Sequence, residues 1–130
     1  MADSIFSKII KGEIPCHKVY EDDLTIAFLP LKPIAIAHVL VVSKLQVDQF
    51  YDLPAEDYQA FMNTVKKVAE RLQKVIKPKR IGLKIIGLDE PHAHAHVVAF
   101  DTLEEYNEHE SDKPEPDHTA LAEMAKKLAF

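Results

Sequence analysis

Residues 81–100 read IGLKIIGLDEPHAHAHVVAF, and the choice of fold hangs on them. IGLKIIGL (81–88) has the apolar content of a strand, with glycines toward both ends. HAHAHVVAF (92–100) has a period of two, and Asp89-Glu90-Pro91 is all that separates the two runs. Strands joined so briefly pair antiparallel, so the stretch predicts a hairpin. Side chains alternate across a strand, which sets His92, His94 and His96 on one side of the ribbon. Ala93 and Ala95 face the other side, where small residues permit close packing.

Working outward, HVLVVS (38–43) is apolar enough to be a central strand. HKVYEDD and LTIAFLP, ahead of it, read as two short strands turning at Glu21-Asp22-Asp23, the second ended by Pro30 and Pro33. LPAEDYQAFMNTVKKVAERLQKVI (53–76) carries the longest helical signal. Tyr58, Phe61, Met62, Val65, Val68, Ala69, Leu72 and Val75 recur every three or four residues between charged ones. The opening SIFSKIIKGEIP places Ile5, Phe6, Ile9 and Ile10 at helical spacing, with Ser4 or Asp3 able to cap the first turn. TLEEYNEHESDKPEPD reads as irregular, and HTALAEMAKKLAF as a terminal helix with Leu121, Met124, Ala125 and Leu128 on one side. No repeat or linker interrupts residues 1–130, so one domain of α+β class is expected: an antiparallel sheet under one dominant helix. Such a sheet leaves an edge or face that a second copy can cover.

Apolar content of 47% and charged content of 28% are those of an ordinary globular protein. The net charge of −5 is uneven: residues 1–100 carry 13 basic and 12 acidic side chains, residues 101–130 carry 3 and 9. A near-neutral body with an acidic C-terminal extension gives no electrostatic reason to expect nucleic-acid binding. The extension reads either as solvated surface or as a steering or partner-binding segment. Cys16 stands alone, which excludes an intrachain disulfide and cysteine-rich zinc patterns. With no signal core and no apolar run long enough for a bilayer, a cytoplasmic protein without membrane contact is expected.

Three readings fit HAHAH. It can be a solvated histidine-rich strand. It can hold a metal, because neutral imidazole nitrogens suit zinc, copper or nickel and His38 can add a ligand. Neither a cysteine nor an obvious carboxylate ligand accompanies the triplet, however; Asp89 and Glu90 are near in sequence but lie in the turn. Or it can transfer a group at phosphorus, one imidazole attacking, a second donating to phosphate oxygens and a third fixing the tautomer of the first. Clustered imidazoles also depress one another's protonation, which keeps a nucleophile neutral near pH 7.

The chain resembles the histidine-triad (HIT) nucleotide hydrolases, in the branch that includes nucleoside phosphoramidases. SIFSKIIKGEIPCHKVYEDD with AFLPLKP, HVLVVSK at 38–44, and HAHAHVV at 92–98 carry the resemblance, over about residues 4–100. It implies a HIT-like antiparallel sheet of about five strands, with one long central helix and short terminal helices. The reaction implied is hydrolysis of a nucleoside 5′-monophosphate derivative through a covalent nucleotidyl-histidine. His94 would be the nucleophile, His96 would contact the phosphate or leaving group, His92 would orient His94, and His38 would extend the hydrogen-bond chain. Phe6, Ile9, Phe28 and Leu29 align with the cleft that sandwiches a purine, and Leu31 with the ribose. For Phe6 and Phe28, plain core packing is the competing reading. No metal ligand and no required cofactor are implied; family members are usually homodimers. His17, His109 and His118 match no functional position.

The chain departs from that family where the sugar and phosphate would bind. Pro30 stands where an acidic residue normally grips the ribose hydroxyls. Gly87 replaces a common Asn, and the donor-rich phosphate loop is shortened to Leu88-Asp89-Glu90-Pro91. Asp89 and Glu90 there repel a phosphate unless they point away or capture a basic leaving group. The glycine before the fourth histidine is Ala37. Ser4, Ser7 and Leu45-Gln46 occupy positions that hold a structural zinc in some relatives, so no structural zinc is expected. A nucleotide-binding or scaffold protein with little turnover is the second reading, a metal-dependent protein the third.

Overall fold

The structure is a computed structural model, and it describes residues 2–130. Five strands, β1 (His17–Glu21), β2 (Thr25–Leu29), β3 (Ala37–Ser43), β4 (Arg80–Lys84) and β5 (His94–Phe100), form one sheet in the order β1-β2-β3-β5-β4. Every neighbouring pair is antiparallel. The helices are α1 (Ile5–Ile10), α2 (Ala55–Val75), α3 (Leu103–Tyr106) and α4 (His118–Leu128), with 3-10 turns at Phe50–Asp52 and Glu110–Asp112. This is the α+β architecture expected from the sequence.

The sheet is covered on both faces, which explains why β3 is buried at every position. Ala37, Val39 and Val41 of β3 and Ala93, Ala95, Val97 and Ala99 around β5 pack under α2 through Phe61, Val65, Val68 and Leu72. The alanines leave room for the helix to approach. Leu121, Ala125 and Leu128 of α4 join the same core, and Met124 lies half-buried against it. Tyr58, counted in the α2 stripe, is exposed instead: the buried face of that helix begins at Phe61. On the opposite face Phe6 of α1 closes over Ile26, Phe28, Leu40 and Val42. The histidines share this second face.

Local chemistry sets the element ends. Ser4 caps α1, its side chain accepting from the Ser7 N–H. Asp22 Oδ1 accepts from the N–H groups of Leu24 and Thr25, which fixes the turn between β1 and β2. Two expectations need correction. The hairpin connection runs from Ile85 to Ala93, because β4 ends at Lys84 and Gly87 turns the chain with φ +71°. Residues 102–117 are also more ordered than their composition suggests. Thr102 and Glu105 form a reciprocal capping box that starts α3, and the Tyr106 ring packs on Phe100, 4.6 Å between centroids.

Candidate active site

β5 presents His94 and His96 on the α1 side of the sheet, their ring centroids 5.2 Å apart. His92 lies just before the strand and is fully buried. His38 comes from β3. Its register partner is Val98 and that of His96 is Leu40, so the two histidines are diagonal neighbours on one face. His38, His96 and His94 are therefore consecutive neighbours, and His92 lies next to them on the far side of His94, with Phe6 against both rings.

Their hydrogen bonds fix the tautomers. A carbonyl oxygen only accepts, so His94 Nδ1–H must donate to the His92 carbonyl at 2.7 Å. Neutral His94 is left with a bare lone pair on Nε2. His92 Nε2–H likewise donates to the Ser43 carbonyl at 2.6 Å, which makes its Nδ1 an acceptor for the Ser4 hydroxyl, also at 2.6 Å. His38 Nδ1 accepts from the Ile34 N–H at 3.3 Å, so its hydrogen is on Nε2 and points at His96 Nδ1, 2.9 Å away. Neutral His96 then carries its own hydrogen on Nε2. The result is two adjacent rings of opposite character: one with a free lone pair, the other with a free N–H.

All four stay uncharged near neutrality. Burial is the first cause in each case, pushing His38 down to about 3 and His96 down to about 4, with His92 and His94 also lowered. Lys84, the register partner of His96 on β4, adds repulsion toward both His38 and His96. Asp89 and Glu90 work the other way on His94.

The remaining candidate residues divide. Phe6 meets His94 edge-on with centroids 4.9 Å apart and Phe28 at 5.7 Å, and Ile9 packs half-buried beside them. Leu29 belongs to the core under α2, on the other side of the sheet, and Leu31 is exposed. Gly87 and Asp89 lie in the connection ahead of the histidines, Asp89 exposed. Glu90 Oε1 accepts from the Ile5 N–H at the start of α1, and its charge still acts on His92 and His94. His17 and His118 pair with each other at 3.0 Å. Ser4, Ser7, Gln46 and His92 do converge. Gln46 Oε1 accepts from the Ser7 hydroxyl at 2.5 Å and the Ser4 N–H at 3.1 Å, closing a hydrogen-bonded cluster behind His92.

Three contributions had no sequence signal. Ser43 receives His92 through its backbone. Lys84 stands over the Tyr106 ring at 4.1 Å and donates to the Tyr106 carbonyl. Glu110, from the acidic extension, brings Oε1 to 3.6 Å from His96 Nδ1 and 3.8 Å from His38 Nε2. A side chain at Gly82 would enter the Tyr106 ring, so glycine is what lets this segment lie against β4.

The profile of the HIT domain matches residues 11–103. Protein hit of Bacillus subtilis is 31% identical over 140 residues, covering 96% of this chain and 94% of that protein. Adenosine 5′-monophosphoramidase HNT1 of Saccharomyces cerevisiae is 33% identical over 102 residues, covering 75% of this chain and 62% of that one. Among solved structures, a Hit-like protein involved in cell-cycle regulation from Bartonella henselae superposes with a TM-score of 0.81 at 28% identity, covering 98% of this chain and 97% of that one. With this profile match and four histidines gathered on one face of the sheet, the chain belongs to the HIT domain family.

Proposed function

We propose that the protein hydrolyses nucleoside 5′-monophosphate derivatives, phosphoramidates first among them, by two displacements at the α-phosphorus. The observation that carries this is the opposite tautomer of neighbouring rings: a lone pair at His94 Nε2 beside an N–H at His96 Nε2. In the first step His94 Nε2 attacks phosphorus and the bond to the leaving amine breaks. The amine takes a proton from His96, which the anionic phosphate of the bound substrate has first converted to its imidazolium form. The nucleotidyl-histidine carries positive charge, which strengthens the bond from Nδ1–H to the His92 carbonyl. In the second step water attacks phosphorus and gives its proton to His96, while neutral His94 departs. The chemistry needs positioned donors and no metal.

Supporting this reading, the ring of Phe6 lies against His94, and the half-buried Ile9 beside it gives the site an apolar flank against which a base can pack. Glu90 and Asp89 put negative charge within reach of His94, which favours a basic leaving group over an anionic one. The reading extends to a cytoplasmic homodimer. The outer edge of β4 is unpaired, and Leu83, Ile86 and Leu88 are exposed on it and just beyond, a surface suited to a second copy. No helix among the described residues is long and apolar enough to cross a membrane.

The test is release of adenosine 5′-monophosphate from an adenosine phosphoramidate by the intact protein and by His94→Ala, each before and after strong chelation. Release that depends on His94 and survives chelation is expected. Release equal in both proteins, or lost on chelation, would overturn the proposal.

A further inference from the structure

Glu110 is the starting point. Its Oε1 is buried, has no hydrogen-bond partner, and lies within 4 Å of both His38 Nε2 and His96 Nδ1. A buried acceptor left empty is costly, and one aimed between two imidazole nitrogens calls for a cation.

The cation could be a metal ion or a proton, and three observations favour the proton. The Ile34 N–H occupies His38 Nδ1, so His38 Nε2 carries a hydrogen and has no lone pair for a metal. The two nitrogens stand 2.9 Å apart, a hydrogen-bond length, whereas two nitrogens on a tetrahedral ion stand about 3.3 Å apart. The Lys84 ammonium, close enough to oppose charge on both rings, disfavours a dication more than a single proton.

Resting on the reading of His96 as proton donor, we propose that Glu110 is a positioning residue that makes the imidazolium form of His96 possible. Neutral His96 is satisfied at Nδ1 by the hydrogen of His38. Once protonated it has a hydrogen at Nδ1 too, and two N–H groups then confront each other. His38 cannot turn its lone pair around without setting its Nδ1–H against the Ile34 N–H. Glu110 Oε1, 3.6 Å from His96 Nδ1, is the acceptor that relieves the conflict after a movement of under about 1 Å. The groups facing His96 are His38 from β3, Lys84 from β4, His94 from β5 and Glu110 from the extension. Lys84 and His94 oppose its protonation, whereas the Glu110 carboxylate, by its sign and its position 3.6 Å from Nδ1, is the group of the four placed to favour it. Burial and Asp89 hold the Glu110 carboxyl above its usual range, with His109 and Lys84 pulling back. An incoming phosphate supplies the extra negative charge that moves the proton onto His96.

The experiment is a nitrogen-15 NMR titration of the imidazoles in the full chain, for the parent, Glu110→Gln and Glu110→Asp, with and without adenosine 5′-monophosphate. Amide spectra report whether each variant keeps the fold. In Glu110→Gln the protonation midpoint of His96 should fall in the free protein, and the rise caused by the nucleotide, which lifts His96 into the range where Glu110 is fully ionised, should shrink by about one unit or more. Glu110→Asp should recover part of the shift. In the hydrolysis assay the acid limb of kcat should move down with the NMR midpoint, with KM little changed. A His96 midpoint equal in parent and Glu110→Gln would overturn the proposal, as would stoichiometric zinc binding that Glu110→Gln abolishes. The free-protein titration decides the role of Glu110 by itself. A nucleotide that leaves His94 unperturbed in the parent would sink the nucleotide reading separately.

Discussion

The Nδ1 of His94 lies 2.7 Å from the carbonyl oxygen of His92, and that one contact leaves the lone pair of the neutral ring on the opposite nitrogen. The orienting group is the backbone of His92 and not its imidazole. The imidazole plays a different part, since Ser4 and Ser43 hold it and thereby fix where the chain enters β5.

Removing the Ser4 hydroxyl should therefore loosen the nucleophile without touching substrate. Ser4→Ala also deletes the α1 cap, costing about 1 kcal/mol of stability, and leaves His92 Nδ1 without a donor in a buried site. The expected result is a fall in kcat of roughly tenfold with little change in KM. Denaturation and steady-state kinetics on the same preparation measure both. A stability loss with kcat intact would mean that Ser4 serves only the helix.

The sugar should be read weakly. Pro30 follows β2 directly and has no oxygen in its side chain to hold a ribose diol. A bidentate carboxylate contact of that kind is worth about 2–3 kcal/mol, some 30- to 150-fold in kcat/KM. Adenosine and 2′-deoxyadenosine phosphoramidates should accordingly be hydrolysed within about threefold of each other. A preference for the ribonucleotide above roughly 30-fold would show that another group reads the hydroxyls.

Stability should decline as the solution is acidified below pH 6.5. In the unfolded chain histidine takes up a proton near 6.5, whereas His38 and His96 resist until about 3 and about 4. Between 6.5 and 4 the unfolded state thus binds more protons, and each group removes up to about 1.4 kcal/mol per pH unit. Glu110, held above its usual range, acts in the opposite sense and softens the slope. Urea midpoints measured from pH 8 to 4 should stay level to about 6.5 and then drop. His38→Asn should flatten the decline, and a parent profile level down to pH 4 would contradict the burial of neutral imidazoles.

What was legible in the sequence followed short periods. The alternation in HAHAH, the uniformly apolar HVLVVS and the stripe from Phe61 to Leu72 each declare a face, and each face found its partner. The strand assigned to 81–88 overran because Ile85 and Ile86 keep an apolar pattern past the point where β4 ends at Lys84. Ser4, Ser7 and Gln46 could be singled out by their positions, though only the fold shows them bonded to one another behind His92. Glu110 carried no local signal at all. It looked like one charge among the 9 acidic side chains of residues 101–130, and it reaches His96 only because β5, α3 and the contact of Tyr106 with Gly82 bring the chain back across the sheet.

The most direct measurement is capture of the covalent intermediate. The parent protein, mixed with an adenosine phosphoramidate and quenched at alkaline pH within one turnover, should yield a peptide containing residues 92–96 that carries adenylate on His94, read by mass spectrometry. His94→Ala should yield none and should hydrolyse the substrate at least about a thousandfold more slowly. Rapid turnover by the parent with no adenylate on that peptide, or with adenylate on another residue, would contradict attack by His94.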